Sequence, residues 1–396
     1  MIDVQIIAAI IFFLLLTIFL YVKRKNLDTK YLVPYVLYFS MYKTKWGIKL
    51  MDSMAKKFRR FFAFIGYFGI LIGFLGMILI CFALSSNVYA IFTKPSAPAG
   101  VGLVLPFKGK GIFYVPFFYY IISIFIIAVV HEFSHGLIAR THKLKVKSSG
   151  FAFLGFIIPI IPAAFVEPDE KELQKRPMKE QLSIFAAGPL ANIITAALSI
   201  LILFLVVAPL SNSVIQHADG VVVVDYIKDN QQFPIEKSGI KPNEIILKVD
   251  NFDTPYLENL TYYMKTKKPN EFMMIKTNVS VYRIQLTSNP QNQSSAFMGA
   301  QLEQNSKIKD EYQKNYFGLL PGVLEFIVLL LYFLYTLNLG IGLINLAPMG
   351  PLDGGRMLQL PLIHFFGEEK GKKIWLNISL VFLVLILVNL GAAFIK

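Results

Sequence analysis

The sequence predicts a polytopic α-helical membrane protein of about six transmembrane helices, with re-entrant or β-hairpin segments and one small β-rich extramembrane domain. Three observations predict this fold class. Apolar residues make up 55% of the chain and charged residues only 16%, and the mean hydropathy is +0.56. Several uncharged runs reach the roughly 20 residues that a hydrocarbon core of about 30 Å requires. The basic excess lies in short loops beside these runs.

Six uncharged runs are the candidate spans, and each is long enough to cross a bilayer as a helix. They cover residues 6–22, 61–84, 112–130 (continuing to about 137), 182–210, 326–346 and 374–395. Basic residues follow the first run and none precedes it, which is typical of an uncleaved anchor and not of a signal peptide. The single cysteine, Cys81, excludes an intrachain disulfide.

The net charge of +14 is distributed as in a membrane protein. Residues 23–60 hold 11 basic and two acidic side chains, and the loops 140–180 and 354–373 are also basic. Residues 211–318 are balanced, with twelve of each sign. The positive-inside rule therefore predicts cytoplasmic basic loops and an extracytoplasmic 211–318 segment. A nucleic-acid partner is not expected, because it requires one coherent basic face with aromatic residues; the partner is the lipid bilayer.

Two apolar segments are not predicted to be plain helices. Residues 100–115 alternate and are interrupted by glycines, which predicts a hairpin near the outer surface. Residues 148–166 contain Gly150, Gly155, Pro159 and Pro162, which disfavour a smooth helix. Irregular backbone at membrane depth is tolerated only against protein or a wet cavity, so we expect a re-entrant strand or loop that lines the interior.

Residues 218–303 predict a soluble β-rich insert. Turn residues separate five short β-type runs, at 220–226, 244–249, 272–276, 281–286 and 297–302. The stretch "KSGIKPNEIILKVDN" followed by "YLENLTYYMKTK" predicts turn, strand, turn and helix, and it resembles part of a PDZ domain. The usual glycines of the carboxylate-binding loop are not identifiable. The resemblance implies peptide capture by strand addition.

The segment "HEFSH", residues 131–135, carries the candidate chemistry. Side chains four positions apart on a helix lie about 5–6 Å from each other, so His131 and His135 can reach one metal ion. Glu132 lies close enough to act as a general base, as in the HExxH pattern of zinc peptidases. The alternative is a polar helix end at the membrane interface. Three ionisable residues within five positions of a span favour a functional site.

A zinc site needs a third protein ligand. The segment "NLAPMGPLDGGRM", residues 345–357, offers Asp353, and the predicted topology places it on the same side of the membrane as the two histidines. An alternative role for Asp353 is helix capping. His142 is expected to be a solvated loop residue among lysines. The two other histidines outside the motif, His217 and His364, have no partner pattern.

HEFSH in one span followed by N-x-x-P-x-x-P-L-D-G-G in a later span resembles the site-2 protease family of intramembrane zinc metalloproteases. The stretch "AAGPLAN", residues 186–192, resembles a further segment of that family. The PDZ-like insert fits the same family, and the basic loop after the first span is similar to archaeal-type members. The resemblance covers residues from about 110 to 365.

The resemblance implies that His131, His135 and Asp353 bind one Zn²⁺ per chain. It implies that Glu132 is the general base and that Asn345 contacts the substrate backbone or the developing oxyanion. Three further residues are predicted to bind substrate: Asn192, Gly155 and Pro348.

The predicted domains are two N-terminal spans with their basic loop (1–110), a first catalytic membrane segment (111–212), a PDZ-like extracytoplasmic domain (213–305) and a second catalytic membrane segment (306–396). The predicted protein is a multi-pass cell-membrane endopeptidase with its active site towards the cytoplasm. It cuts within or near transmembrane segments of membrane proteins, in regulated intramembrane proteolysis. The alternatives are a metal-ion or solute transporter and a non-catalytic PDZ-bearing scaffold. No inverted repeat supports transport, and a scaffold would be free to lose Glu132.

Overall fold

A computed structural model describes residues 4–33, 37–94, 99–156, 158–227, 232–290, 292–310, 312 and 319–395. The chain forms two compact units. The first comprises Met1–Phe204 and Ile327–Lys396, and the second comprises Leu205–Phe326.

Six helices within the described residues are long and apolar enough to cross a membrane, as the uncharged runs predict. The helices are α1 (Val4–Lys23), α2 (Ile48–Lys57), α3 (Arg59–Thr93), α4 (Phe117–Thr141), α5 (Glu170–Leu173), α6 (Met178–Ile202), α7 (Ala208–Val214), α8 (Pro234–Lys237), α9 (Leu257–Thr266), α10 (Leu319–Asn345), α11 (Asp353–Phe366) and α12 (Glu368–Ile395). A 3₁₀ turn follows α1, and a π-helical turn, Leu203–Val207, joins α6 to α7 so that both belong to one span.

The strands are β1 (Leu27–Val33), β2 (Leu37–Thr44), β3 (Leu103–Leu105), β4 (Ile112–Tyr114), β5 (Val146–Phe156), β6 (Ile158–Pro168), β7 (Ile215–Tyr226), β8 (Ile245–Val249), β9 (Phe252–Asp253), β10 (Phe272–Thr277), β11 (Val281–Gln285), β12 (Thr287–Asn289), β13 (Asn292–Phe297) and β14 (Ala300–Ile308).

A four-stranded antiparallel sheet lies in the first unit, in the order β1-β2-β5-β6. The segment 148–166 supplies β5 and β6, so the strand prediction is the correct one of the two alternatives for it. Residue 157, between them, lies outside the described residues. The pattern of the basic loop 23–60 did not predict β1 and β2. β2 joins the sheet through a distant partner, with Tyr42 opposite Phe151 of β5, and β1 pairs with β2.

The hairpin prediction for residues 100–115 is wrong in strand direction. β3 and β4 pair in parallel, with Leu103 opposite Ile112 and Leu105 opposite Tyr114. The connection between them, "PFKGKG", brings the chain back to the start of β3 before β4 begins. Gly111 at its end has a φ of +72°, a left-handed conformation that favours glycine. β4 therefore runs in the same direction as β3, and the two strands do not form a hairpin.

Helix α3 packs closely against the helices that carry the site through its glycine face. Gly66, Gly69, Gly73 and Gly76 are all buried. A methyl group at Gly73 would lie 2.6 Å from Cε of Met357, and one at Gly69 would lie 3.1 Å from Cδ2 of Leu190. Small residues at a membrane helix contact allow this backbone approach. The apolar core of the first unit, which includes Ile184, Ala186, Leu346 and Met357, forms around this contact.

The second unit is β-rich. Its main sheet is antiparallel and has the order β11-β10-β8-β7-β14, with β9 beside β8. Strands β12 and β13 form a separate pair. Four of the five predicted runs correspond to β7, β8, β10 and β11, and the predicted helix 256–267 is α9. The predicted strand 297–302 is confirmed only in part, because β13 ends at Phe297 and β14 begins at Ala300. Gly299 between them has a φ of +84°, which interrupts a strand.

Candidate metal centre

Helix α4 places His131 and His135 one turn apart on a single face. Their ring centroids are 4.8 Å apart, with the ring planes at 77°. Asp353 is the first residue of α11, after the turn that follows α10. That turn folds tightly on itself, because a side chain at Gly354 would overlap the carbonyl of Leu346 and one at Gly355 would overlap that of Met349. The two glycines thus allow α11 to begin where Asp353 reaches the histidines.

The three side chains converge on one point. Nε2 of His131 lies 3.1 Å from Nε2 of His135 and 3.1 Å from Oδ2 of Asp353. Nε2 of His135 lies 3.3 Å from the same oxygen. The edge of a tetrahedron with ligand bonds of about 2.1 Å is about 3.4 Å, so these atoms match one face of a zinc coordination sphere. Two imidazoles and one carboxylate are also a common donor set for catalytic zinc.

The site is largely enclosed, since the side chains of the two histidines are 12% exposed and that of Asp353 is 15% exposed. Within the described part of the chain, these residues form the one group of three His, Cys, Asp or Glu side chains whose ligand atoms lie close enough to hold a metal ion. The structure favours the metal-site role of Asp353 over helix capping, because its carboxylate points to both imidazole rings and the N-cap residue of α11 makes no side-chain capping bond.

Glu132 is held beside the candidate metal ligands by the sheet. The backbone amide of Val166, in β6, donates a hydrogen bond of 3.0 Å to Oε2 of Glu132. A cavity of about 690 Å³ opens here, lined by the three candidate ligands, Glu132 and residues 163–168 of β6. The arrangement presents a carboxylate, a potential metal site and a strand edge to one enclosed space, which suits hydrolysis of an extended peptide.

Asn345 and Asn192 reach the same cavity from different helices. Asn345 is the last residue of α10 and lines the cavity wall. Asn192, in α6, is fully buried and its Nδ2 lies 3.1 Å from Nδ1 of His131. The predicted substrate contact of Asn345 stays a prediction. Asn192 contacts a candidate metal ligand, which its predicted substrate role did not include.

The two other predicted substrate-binding residues lie differently. Gly155 is in β5 opposite Pro159, which is in β6. Pro348 is buried in the turn before α11, where its carbonyl accepts a hydrogen bond of 3.5 Å from Ser379. The described lining of the cavity includes Pro351 and not Pro348. Substrate binding by these residues stays a prediction.

The prediction that His142 is solvated is wrong. The residue is 7% exposed, and its Nε2 lies 2.9 Å from Oγ of Ser183. Its ring also packs 5.6 Å from that of Tyr67. The neighbouring lysines suggested a loop in water, but α3 and α6 cover this end of α4. His142, His217 and His364 are not part of the metal-binding group.

Sequence patterns did not predict the backbone partners of the site. The carbonyl of Ile184 lies 2.6 Å from Nδ1 of His135, and the amide of Val166 holds Glu132. Backbone groups leave no residue-type signal. The charged residues at the cavity rim, including Arg356 and Glu170 at 3.5 Å from each other, are also absent from the motifs.

The model of peptidase family M50 matches residues 119–386 of the chain, which is more than half of its length. The chain belongs to peptidase family M50. This match contains HEFSH, AAGPLAN and the Asp353 segment, and it confirms the resemblance to site-2 proteases. The chain is thus a multi-pass membrane protein and a site-2 protease-like zinc metallopeptidase at the family level.

Two relatives and one solved structure are similar to parts of the chain. An uncharacterised protein of Methanocaldococcus jannaschii is 26% identical over 86% of this chain and 81% of its own length. A protein of Clostridium acetobutylicum named "Putative zinc metalloprotease" is 20% identical over 42% of this chain, and the match spans about half of that relative, 52%. The PDZ domain of an SdrC-like protein from Listeria monocytogenes matches 21% of this chain and 87% of that domain, at 21% identity and a TM-score of 0.18.

Proposed function

We propose that the protein is an intramembrane zinc endopeptidase that hydrolyses peptide bonds within or near transmembrane segments of other membrane proteins. The observation that carries this proposal is the convergence of His131, His135 and Asp353, from segments 222 residues apart in sequence, into a triangle of 3.1–3.3 Å. Membership of family M50 supports the same activity.

The residues around this triangle divide the chemistry of peptide hydrolysis. His131, His135 and Asp353 would hold zinc through two imidazoles and a carboxylate, and the ion would polarise the scissile carbonyl and lower the pKa of water towards about 7. Glu132 takes a proton from the attacking water and returns it to the leaving amine. The amide of Val166 keeps the Glu132 carboxylate in place. Asn345 donates a hydrogen bond to the carbonyl oxygen as negative charge develops there, a contact commonly worth about 3 kcal/mol.

A transmembrane substrate must unwind before it can be cut, because its peptide groups are bonded within a helix. The freed groups then need partners in a place with little water. β6 is an edge strand of its sheet, and its residues 163–168 line the cavity. The substrate accordingly pairs with β6 as an added strand, with the scissile bond next to Glu132.

The arrangement of the chain in the membrane follows from its charges. The basic loops lie in the cytoplasm, the active site opens towards that side, and the second unit lies on the extracytoplasmic side. The second unit acts as a PDZ-like module in the regulated cleavage of membrane-protein substrates.

A comparison of the wild-type chain with Glu132→Gln tests the activity. Both are purified in detergent, and zinc content and cleavage of a model transmembrane peptide are measured. Glu132→Gln should keep its zinc and lose about 10²–10⁴-fold in kcat. Glu369→Gln, at an exposed position of α12, is the matched control and should cleave normally.

Full cleavage by Glu132→Gln would contradict the proposal. Zinc movement into sealed vesicles without any cleavage by the wild-type chain would favour the transporter alternative. Zinc-free wild-type chain without cleavage would favour the scaffold alternative.

A further inference from the structure

One face of α6 lies directly behind the two histidines. Ile184, Gly188 and Asn192 are spaced four residues apart on this helix, so they form a line along one face. His131 and His135 have the same spacing on α4, which packs against α6. Each of the three α6 residues contacts the histidine pair in a different way.

The two outer residues meet the Nδ1 atoms of the rings. The carbonyl of Ile184 lies 2.6 Å from Nδ1 of His135, and the carboxamide of Asn192 lies 3.1 Å from Nδ1 of His131. Asn192 is fully buried, and its Oδ1 has no hydrogen-bond partner within the described structure. The outer residues are therefore placed to fix the orientation of both rings.

The middle residue leaves room for the Nε2 atoms. A methyl group at Gly188 would lie 2.6 Å from Nε2 of His131, and it would lie closer still to Nε2 of His135. These are the nitrogens that face Asp353. They cannot move aside without leaving the triangle of ligand atoms, so this position requires glycine.

The identity of the ligand atoms determines what Asn192 must offer. An imidazole that binds a metal through Nε2 carries its proton on Nδ1 and needs an acceptor there. The carbonyl of Ile184 is such an acceptor for His135. A half-turn of the Asn192 carboxamide exchanges Nδ2 for Oδ1 and supplies an acceptor to His131.

We propose that Ile184, Gly188 and Asn192 form a positioning surface for the zinc ligands, in which Asn192 Oδ1 accepts the Nδ1–H of His131. Asn192 is thus a positioning residue for a ligand and not a substrate contact. Partners of this kind typically change metal affinity by about 10–100-fold. This inference rests on the proposed metal site.

Zinc affinity of the purified full-length chain, measured by chelator competition, tests the proposal. Asn192→Leu should bind zinc about 10–100-fold more weakly, because leucine cannot accept the Nδ1–H. Asn192→Asp should restore the affinity, because a carboxylate accepts the same bond. Asn338→Leu is the matched control, since Asn338 is also fully buried in a span but donates to Leu334 of its own helix.

Gly188→Ala is the second arm and should lose stoichiometric zinc while the chain stays folded. Gly391→Ala is its control, because a methyl group there meets nothing within 4 Å. The visible absorption spectrum of the cobalt-substituted chain gives a readout that a purely structural role would not move. Asn192→Leu should change that spectrum, and Asn338→Leu should leave it as in the wild type.

Three results would overturn the inference. The first is wild-type zinc affinity and cobalt spectrum in Asn192→Leu. The second is an Asn192→Asp variant that binds as weakly as Asn192→Leu. The third is full zinc occupancy in Gly188→Ala. A wild-type chain that binds no zinc would instead overturn the proposed function, and this inference with it, so the two failures are distinguishable.

Discussion

Replacing Ala164 by proline tests whether substrate adds to the edge of β6. In an antiparallel strand, backbone groups point alternately towards and away from the neighbouring strand. The amide of Val166 points away from β5, because it donates to Glu132. Ala164 lies two residues earlier in the same regular pairing with β5, so its amide also points away. The amides of Ala163 and Phe165 point to β5.

The expected effect follows from the loss of one outward N–H. Proline is tolerated on an edge strand where the missing N–H does not face a partner, so Ala164→Pro should keep the sheet and its zinc. A neutral hydrogen bond contributes about 0.5–1.5 kcal/mol, which corresponds to a loss of about 2- to 13-fold in kcat/KM. Any contact of the proline ring with the substrate would add to this loss.

The assay is cleavage of a model transmembrane peptide by the purified chain, with zinc content measured in parallel. Ala164→Gly keeps the N–H and should cleave at close to the wild-type rate. Ala163→Pro removes an inward N–H, so it should lower stability as well as activity. Undiminished kcat/KM in Ala164→Pro would refute substrate addition at this position.

Three further predictions concern the metal and the second unit. Asp353→Asn removes the only anionic ligand of the triangle and should lower zinc content measured by mass spectrometry; unchanged zinc would contradict the ligand assignment. Glu244, buried with three hydrogen-bond donors, should on change to Gln destabilise the second unit by about 1–3 kcal/mol in urea-dependent proteolysis, whereas an unaltered midpoint would argue against this. Burial alone raises the pKa of Asp250, but hydrogen bonds from Lys267, the amide of Met274 and Tyr263 outweigh it and lower the pKa. Because the folded pKa is depressed, this stabilisation is present above the unfolded value of about 3.9 and is lost as pH falls from that value through the folded pKa. The rate at which the second unit is proteolysed should therefore rise less steeply with falling pH in Asp250→Asn than in the wild type. Equal pH dependence in the two chains would contradict this.

The sequence predicts the spans well because bilayer thickness and the cost of buried charge constrain them directly. Their ends are less well predicted. Helix α3 continues to Thr93, past the predicted end at residue 84. The prediction covered only the most apolar part of this helix, and the less apolar residues 85–93 that follow are also helical. The sheet was only half predicted. β5 and β6 have glycines and prolines that exclude a helix, whereas β2 is defined by pairing with β5, about a hundred residues away, and β1 by pairing with β2.

The candidate site separates into residues that sequence identifies and residues that only packing identifies. His131, Glu132 and His135 are recognisable because their chemistry requires a fixed spacing on one helix. Asp353 is recognisable because the predicted topology places it on the same side of the membrane as the two histidines, and because its segment resembles a second motif of the site-2 protease family.

The α6 residues show why the rest was not predicted. The spacing of Gly188 and Asn192 repeats that of the two histidines, so a matching face is present in the sequence. Helix packing must still decide which of several faces of α6 meets α4, and a rotation of about 100°, one residue, would replace Gly188 by a neighbour. Any side chain at that position would displace the imidazoles. The requirement for glycine therefore arises from the contact between two helices, and a pattern within either helix alone cannot reveal it.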